Sequence, residues 1–94
     1  MVTGKADGFL IAMRPMRMAQ ILGENVRRNR LERGMTLESL AAEAGVAYSY
    51  MGGIERGQKN PTLTVIERIA AARSTDPVLL LSDPQQKHDG PNGT

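Results

Sequence analysis

The chain has 94 residues, a formal net charge of +2 from twelve basic and ten acidic side chains, and no cysteine. That length serves one modest core, and the missing cysteine excludes disulfides and thiolate metal sites. The single histidine, His88, lies in a polar tail with no second ligand nearby, so no metal or other cofactor is expected. No apolar run reaches the roughly 18 residues of a membrane span, and Phe9–Met13 is too short for a signal-peptide core, so the expectation is a cytoplasmic protein.

Residues 1–18 read as an N-terminal arm, because Gly4, Gly8 and Pro15 interrupt any helix. The arm is either a flexible tail, extra sequence ahead of a later start, or a partner-contacting element. The first helix is expected from Ala19 to Arg33, ending at Gly34. Leu22 and Val26 define its inner face, and Arg30 falls on the same face four residues further on. A charge on an inner stripe asks for a partner. Glu55, four residues after the apolar Met51, is the natural candidate, and the two are read as a structural ion pair.

Thr36 is a good N-cap, and Glu38 places negative charge where the helix dipole favours it. Leu37, Leu40, Ala41 and Ala44 then form one apolar stripe, and Gly45 sits where a helix ends at positive φ. A second short stripe, Tyr50, Met51 and Ile54, closes at Gly57. Helices below about 12–15 residues are marginal alone in water, so both must pack on their flanks. After Pro61, Thr62 caps a helix with Leu63, Ile66, Ile69 and Ala70 on one face. Ser74-Thr75-Asp76-Pro77 starts a last short helix through Val78 and Ser82. Its leucines Leu79, Leu80 and Leu81 point 100° apart, more than one monomer core is expected to bury, so they are candidates for a subunit interface. From Asp83 onward the Pro, Gln and Gly content reads as a disordered tail, residues 83–94.

Residues Thr36 to Pro61 therefore spell helix, Gly-led turn, helix, glycine stop and Pro-marked loop. This is the pattern of a helix-turn-helix, which sets one short helix in the DNA major groove. Net charge is a weak argument for nucleic acid, since residues 20–82 hold eight basic and seven acidic groups. Clustering is more telling: Arg27, Arg28, Arg30 and Arg33 on the first helix, then Arg56 and Lys59 after the second. Within the arm, Arg14 and Arg17 are candidates for a DNA groove and Phe9–Met13 for a partner subunit.

Leu22-Gly23, Val26-Arg27, Arg30, Gly34-Met35-Thr36, Leu40-Ala41, Gly45-Val46, Tyr50-Met51, Ile54-Glu55-Arg56-Gly57, Asn60-Pro61-Thr62-Leu63 and Ile69-Ala70 resemble the phage-repressor-like (Cro/C1, XRE-type) family across residues 20–82. The stretch from Tyr48 to Gly57 also resembles the small controller proteins of restriction–modification systems. The resemblance implies an all-α, compact five-helix bundle of the lambda-repressor-like type, residues 19–82, that binds double-stranded DNA as a homodimer. It places the recognition helix at about Tyr48 to Arg56. It puts base contacts at Tyr48, Ser49, Gly52 and Gly53, and phosphate contacts at Thr36, Gln58, Lys59 and Asn60; Arg56, at the end of the recognition helix, is a further DNA-binding candidate.

Departures from the family pattern qualify how DNA is read. Leu37 stands where the family often has a phosphate-binding Gln, and Ala47 replaces the usual Ser or Thr cap, worth about 1 kcal/mol. Gly52-Gly53 lies mid-helix, each about 0.8–1 kcal/mol worse there than alanine. Direct readout then rests on Tyr48 and Ser49, neither of which makes a bidentate base contact. The expected function is a transcriptional regulator acting as a homodimer on an operator near a promoter, in a bacterial or phage cytoplasm at the nucleoid. Two alternatives remain: an antitoxin-like regulator that also binds a protein through residues 1–18, and a protein-interaction module without DNA binding. An enzyme is not expected, because no catalytic constellation or phosphate-cradling glycine loop is present.

Overall fold

The computed structural model describes residues 17–83, and the proposed arm up to residue 16 and the tail from residue 84 lie outside them. Among the described residues there are five helices and no strand: α1 Arg17–Glu32, α2 Leu37–Ala44, α3 Tyr48–Glu55, α4 Leu63–Ala72 and α5 Pro77–Leu80. Helix α1 is the longest, at 16 residues, and starts two residues earlier than expected, taking in Arg17 and Met18 from the expected arm. It packs on α3 and α5, while α2 packs on α3 and α4, and α4 on α5.

The apolar stripes meet in one core of Leu22 and Val26 from α1, Leu40, Ala41 and Ala44 from α2, Met51 and Ile54 from α3, Ile66, Ile69 and Ala70 from α4, and Leu80. Leu63 is a correction: it is 73% exposed, so the buried stripe of α4 begins at Ile66. Thr36 and Thr62 cap α2 and α4, their hydroxyl oxygens accepting from the amides of Ser39 and Val65. Asp76 caps α5 through the amide of Val78, with Pro77 opening the helix.

Helix α2 stops by one device. Gly45 takes φ 70°, and the Val46 amide donates back to the Ala41 carbonyl at 2.9 Å. Helix α4 stops the same way without glycine. Ser74 adopts φ 54°, and the Thr75 amide donates to Ala70 at 2.9 Å.

The leucine run resolves by burial. Leu80 is 2% exposed and belongs to this chain's own core, so its assignment to a subunit interface is corrected. Leu81 is partly buried against that core. Leu79 is 60% exposed, beside Val78 at 66%. Two buried polar side chains tie α1 to the C-terminal helices, Asn25 to the end of α5 and Arg73, just after α4, to α1 and the turn before α2. The Asn25 amide nitrogen donates to the carbonyls of Leu80 and Ser82, both at 2.8 Å, and its oxygen accepts from Arg28. Arg73, 3% exposed, donates to Asn29 Oδ1 and Met35 Sδ. Burial pushes the Arg73 guanidinium below its ordinary range, with Arg33 adding repulsion.

Candidate nucleic-acid interface

Helices α2 and α3 are joined by Gly45, Val46 and Ala47, and α3 is held on α1 from behind at three points. Gly23 allows the closest approach. A Cβ there would overlap the carbonyl oxygen of Ile54 and lie 2.7 Å from that of Glu55. Glu55 accepts both arms of Arg30, Nε to Oε2 at 2.8 Å and Nη2 to Oε1 at 3.0 Å. The Arg30 and Glu55 side chains are 12% and 6% exposed. The hydrogen bond to Glu55 raises the Arg30 pKa, against the opposing effect of burial. Arg30 Nη1 also donates to the Met35 carbonyl, so one guanidinium ties α1, the turn before α2 and α3 together. Gly57 supplies the third point, packed over Gln20.

This anchoring faces Met51 and Ile54 inward and leaves the start of α3 outward. Tyr48 is 56% exposed, and Ser49 is exposed beside it. Ala47 is the N-cap and offers no side-chain acceptor, so the first-turn amides of α3 lack a side-chain cap. Thr36 is exposed at the head of α2; its oxygen is engaged by Ser39, and its hydroxyl proton can still be donated. Arg56, Gln58, Lys59 and Asn60 are exposed in the segment after α3, with Arg56 Nε donating to Gln58 Oε1 at 3.2 Å.

Gly52 and Gly53 are a correction. Both are buried rather than open to a base edge. A Cβ on Gly52 would meet Arg56 Nη1 at 3.1 Å and Leu37 Cδ2 at 3.5 Å, and one on Gly53 would meet Lys59 Cγ and Cε at 2.9 Å. The arginine cluster of α1 also divides. Arg30 is largely buried on Glu55, while Arg27, Arg28 and Arg33 are exposed, Arg28 donating to Asn25 Oδ1.

The electrostatics follow from the same pairing. Between Glu43 and Glu67 the only carboxylate is Glu55, and Arg30 neutralises it. The surface from residue 44 to residue 66 therefore offers Arg56 and Lys59 with no exposed negative charge. Asn25 and Arg73 were not singled out in the sequence. A lone Asn on an inner helical stripe is the signal for the first, and no local pattern marks the second.

A two-helix unit with an outward helix start and a cationic flank, held on a five-helix scaffold, defines a helix-turn-helix domain. A family model described as Helix-turn-helix matches residues 26–76. The chain is 34% identical over 67 residues to the uncharacterized HTH-type transcriptional regulator y4dJ of Sinorhizobium fredii, covering 71% of this chain and 87% of that protein. It is 35% identical over 72 residues to the HTH-type transcriptional regulator SinR of Bacillus subtilis, covering 74% of this chain and 65% of SinR. Among solved structures, the restriction-modification controller protein C.AhdI of Aeromonas hydrophila has a TM-score of 0.64 at 37% identity, covering 66% of this chain and 94% of that one. The chain belongs to the helix-turn-helix family of DNA-binding transcriptional regulators, a family of non-enzymes. No helix among the described residues is long and apolar enough to cross a membrane.

Proposed function

We propose that the chain regulates transcription as a two-fold dimer on an operator near a promoter, with α3 entering the major groove from its Tyr48–Ser49 end. The observation that carries this reading is the charge pattern around α3. Its only carboxylate is consumed by Arg30, so the outward surface is cationic and compatible with phosphate. Tyr48 and Ser49 reach base edges, while Thr36, Arg56, Lys59 and Asn60 hold backbone phosphates. Direct readout is modest, because neither a tyrosine nor a serine makes the bidentate contact of Arg or Gln. Sequence preference then leans on DNA shape and half-site spacing.

Dimerisation is assigned to α5, where Val78 and Leu79 stand exposed on a helix whose Leu80 is rooted in the core. A two-fold pair would set the α3 helices about 34 Å apart, matching half-sites about 10–10.5 base pairs from centre to centre. The likeness to C.AhdI supports a controller-type role.

Titrating wild type, Ser49→Ala and Lys59→Ala with duplex DNA over a salt series tests the docking. Ser49→Ala should alter sequence preference. Lys59→Ala should weaken all duplexes alike and lower the salt slope by about one. Two variants indistinguishable from wild type would contradict the proposed docking.

A further inference from the structure

The paired glycines of α3 have neighbours that say what they do. Gly53 lies under the Lys59 side chain, whose Cγ and Cε occupy positions 2.9 Å from where a Cβ would stand. The stem ends with Nζ 5.9 Å from the centroid of the Tyr50 ring, three residues before Gly53 and on the same face of α3. Lys59 therefore leaves the loop after α3 with its stem laid back along the helix, while the residue as a whole stays exposed. The backbone helps to aim it, since the Gln58 amide donates to the Gly53 carbonyl at 2.9 Å.

We infer that Gly53 is a positioning residue for DNA binding: its bare backbone is the channel in which Lys59 lies, delivering the ammonium from the loop to the Tyr50 ring beside the outward start of α3. The inference rests on the DNA reading above. A flexible lysine loses side-chain freedom on meeting a phosphate, and a channel that already holds the stem reduces that loss. The aromatic face at the far end holds the cation without neutralising it, so its charge remains available to a phosphate. A carboxylate in place of Tyr50 would hold the ammonium and cancel it.

Gly53→Ala is a mild probe, because the three atoms nearest such a methyl all belong to the flexible Lys59 side chain and alanine is the better helix former. It should displace Lys59 without unfolding α3. In DNA-free protein, the Lys59 ε-methylene protons should be shifted upfield by the Tyr50 ring and return to ordinary positions in Gly53→Ala. On duplex DNA, Gly53→Ala should reproduce most of the Lys59→Ala defect, including a salt slope lower by about 0.9. The double variant Gly53→Ala/Lys59→Ala should bind no more weakly than Lys59→Ala alone.

If Gly53→Ala weakens binding equally with and without Lys59, the glycine serves close approach of the helix to DNA and the inference is overturned. It is also overturned if the ε-methylene shifts are ordinary in wild type. Absence of any salt-dependent binding by wild type would remove the DNA reading itself, and the inference with it.

Discussion

The amide nitrogen of Asn25 in α1 lies 2.8 Å from the carbonyl oxygen of Leu80 at the end of α5. Helix α5 spans only four residues and closes too few backbone bonds to stand alone. The side chain of Asn25, in a residue 2% exposed, fixes it against α1 by accepting the role of capping donor for Leu80 and Ser82. The outward aim of Val78 and Leu79 follows from that clamp. Asn25→Ala should strand buried carbonyls and cost about 2–3 kcal/mol, lowering the urea midpoint with little change in slope. An unchanged midpoint would show that water replaces the clamp at no cost.

Gly23→Ala sets two effects against each other. Helix propensity favours alanine by about 0.8–1 kcal/mol. The new methyl, however, would strike the carbonyl oxygens of Ile54 and Glu55, which are backbone and cannot swing aside. Overpacking costs of about 1–3 kcal/mol win, so the variant should be destabilised and α3 pushed away from α1. Thermal melting should show a lower Tm, and DNA affinity should fall with it.

The Arg30–Glu55 pair should be costly to break and cheap to replace. Glu55→Ala leaves a guanidinium uncompensated among groups mostly out of water, at about 3–5 kcal/mol. Arg30→Met with Glu55→Leu should recover much of that loss in a double-variant cycle. The pH sign is set by the raised pKa of Arg30. A raised basic group contributes stability fully below its unfolded pKa and loses it only as pH climbs through the folded value. The arginine side of the pair should therefore not weaken between neutral and mildly alkaline pH.

Ser74 closes α4 with φ 54°, in the left-handed region that disfavours side chains. Ser74→Gly removes that strain but frees the unfolded chain, for a net gain of about 0.5–1 kcal/mol. A domain of this size should then melt a few degrees higher, roughly 4–8 °C per kcal/mol. No gain would mean that the serine is not strained there.

The stripes and stops of this fold are local, and so were legible in the sequence. Thr36, Gly45, Thr62 and Asp76-Pro77 act within a few residues of where they stand, and Leu22, Val26, Met51 and Ile54 repeat at helical spacing. The Arg30–Glu55 partnership was within reach because each charge lies on an apolar stripe. What escaped depends on long-range packing. The resemblance places Gly52 and Gly53 at base contacts, yet side chains of Leu37, Arg56 and Lys59 fold over them. Periodicity could not rank Leu79, Leu80 and Leu81, because the choice among three consecutive leucines is made by Asn25, more than fifty residues earlier. Arg73 is buried through partners in α1 and the turn before α2, which no local pattern announces.

The central claim is that α3 docks on DNA as one of a two-fold pair. In-vitro selection from random duplex DNA, with sedimentation of the selected complex, tests it most directly. The expected result is inverted half-sites about 10–10.5 base pairs apart, bound by two chains, with weak preference within each half-site and affinity falling steeply with salt. No enrichment and no salt-dependent binding, or one chain on a single sharply specified site, would contradict it.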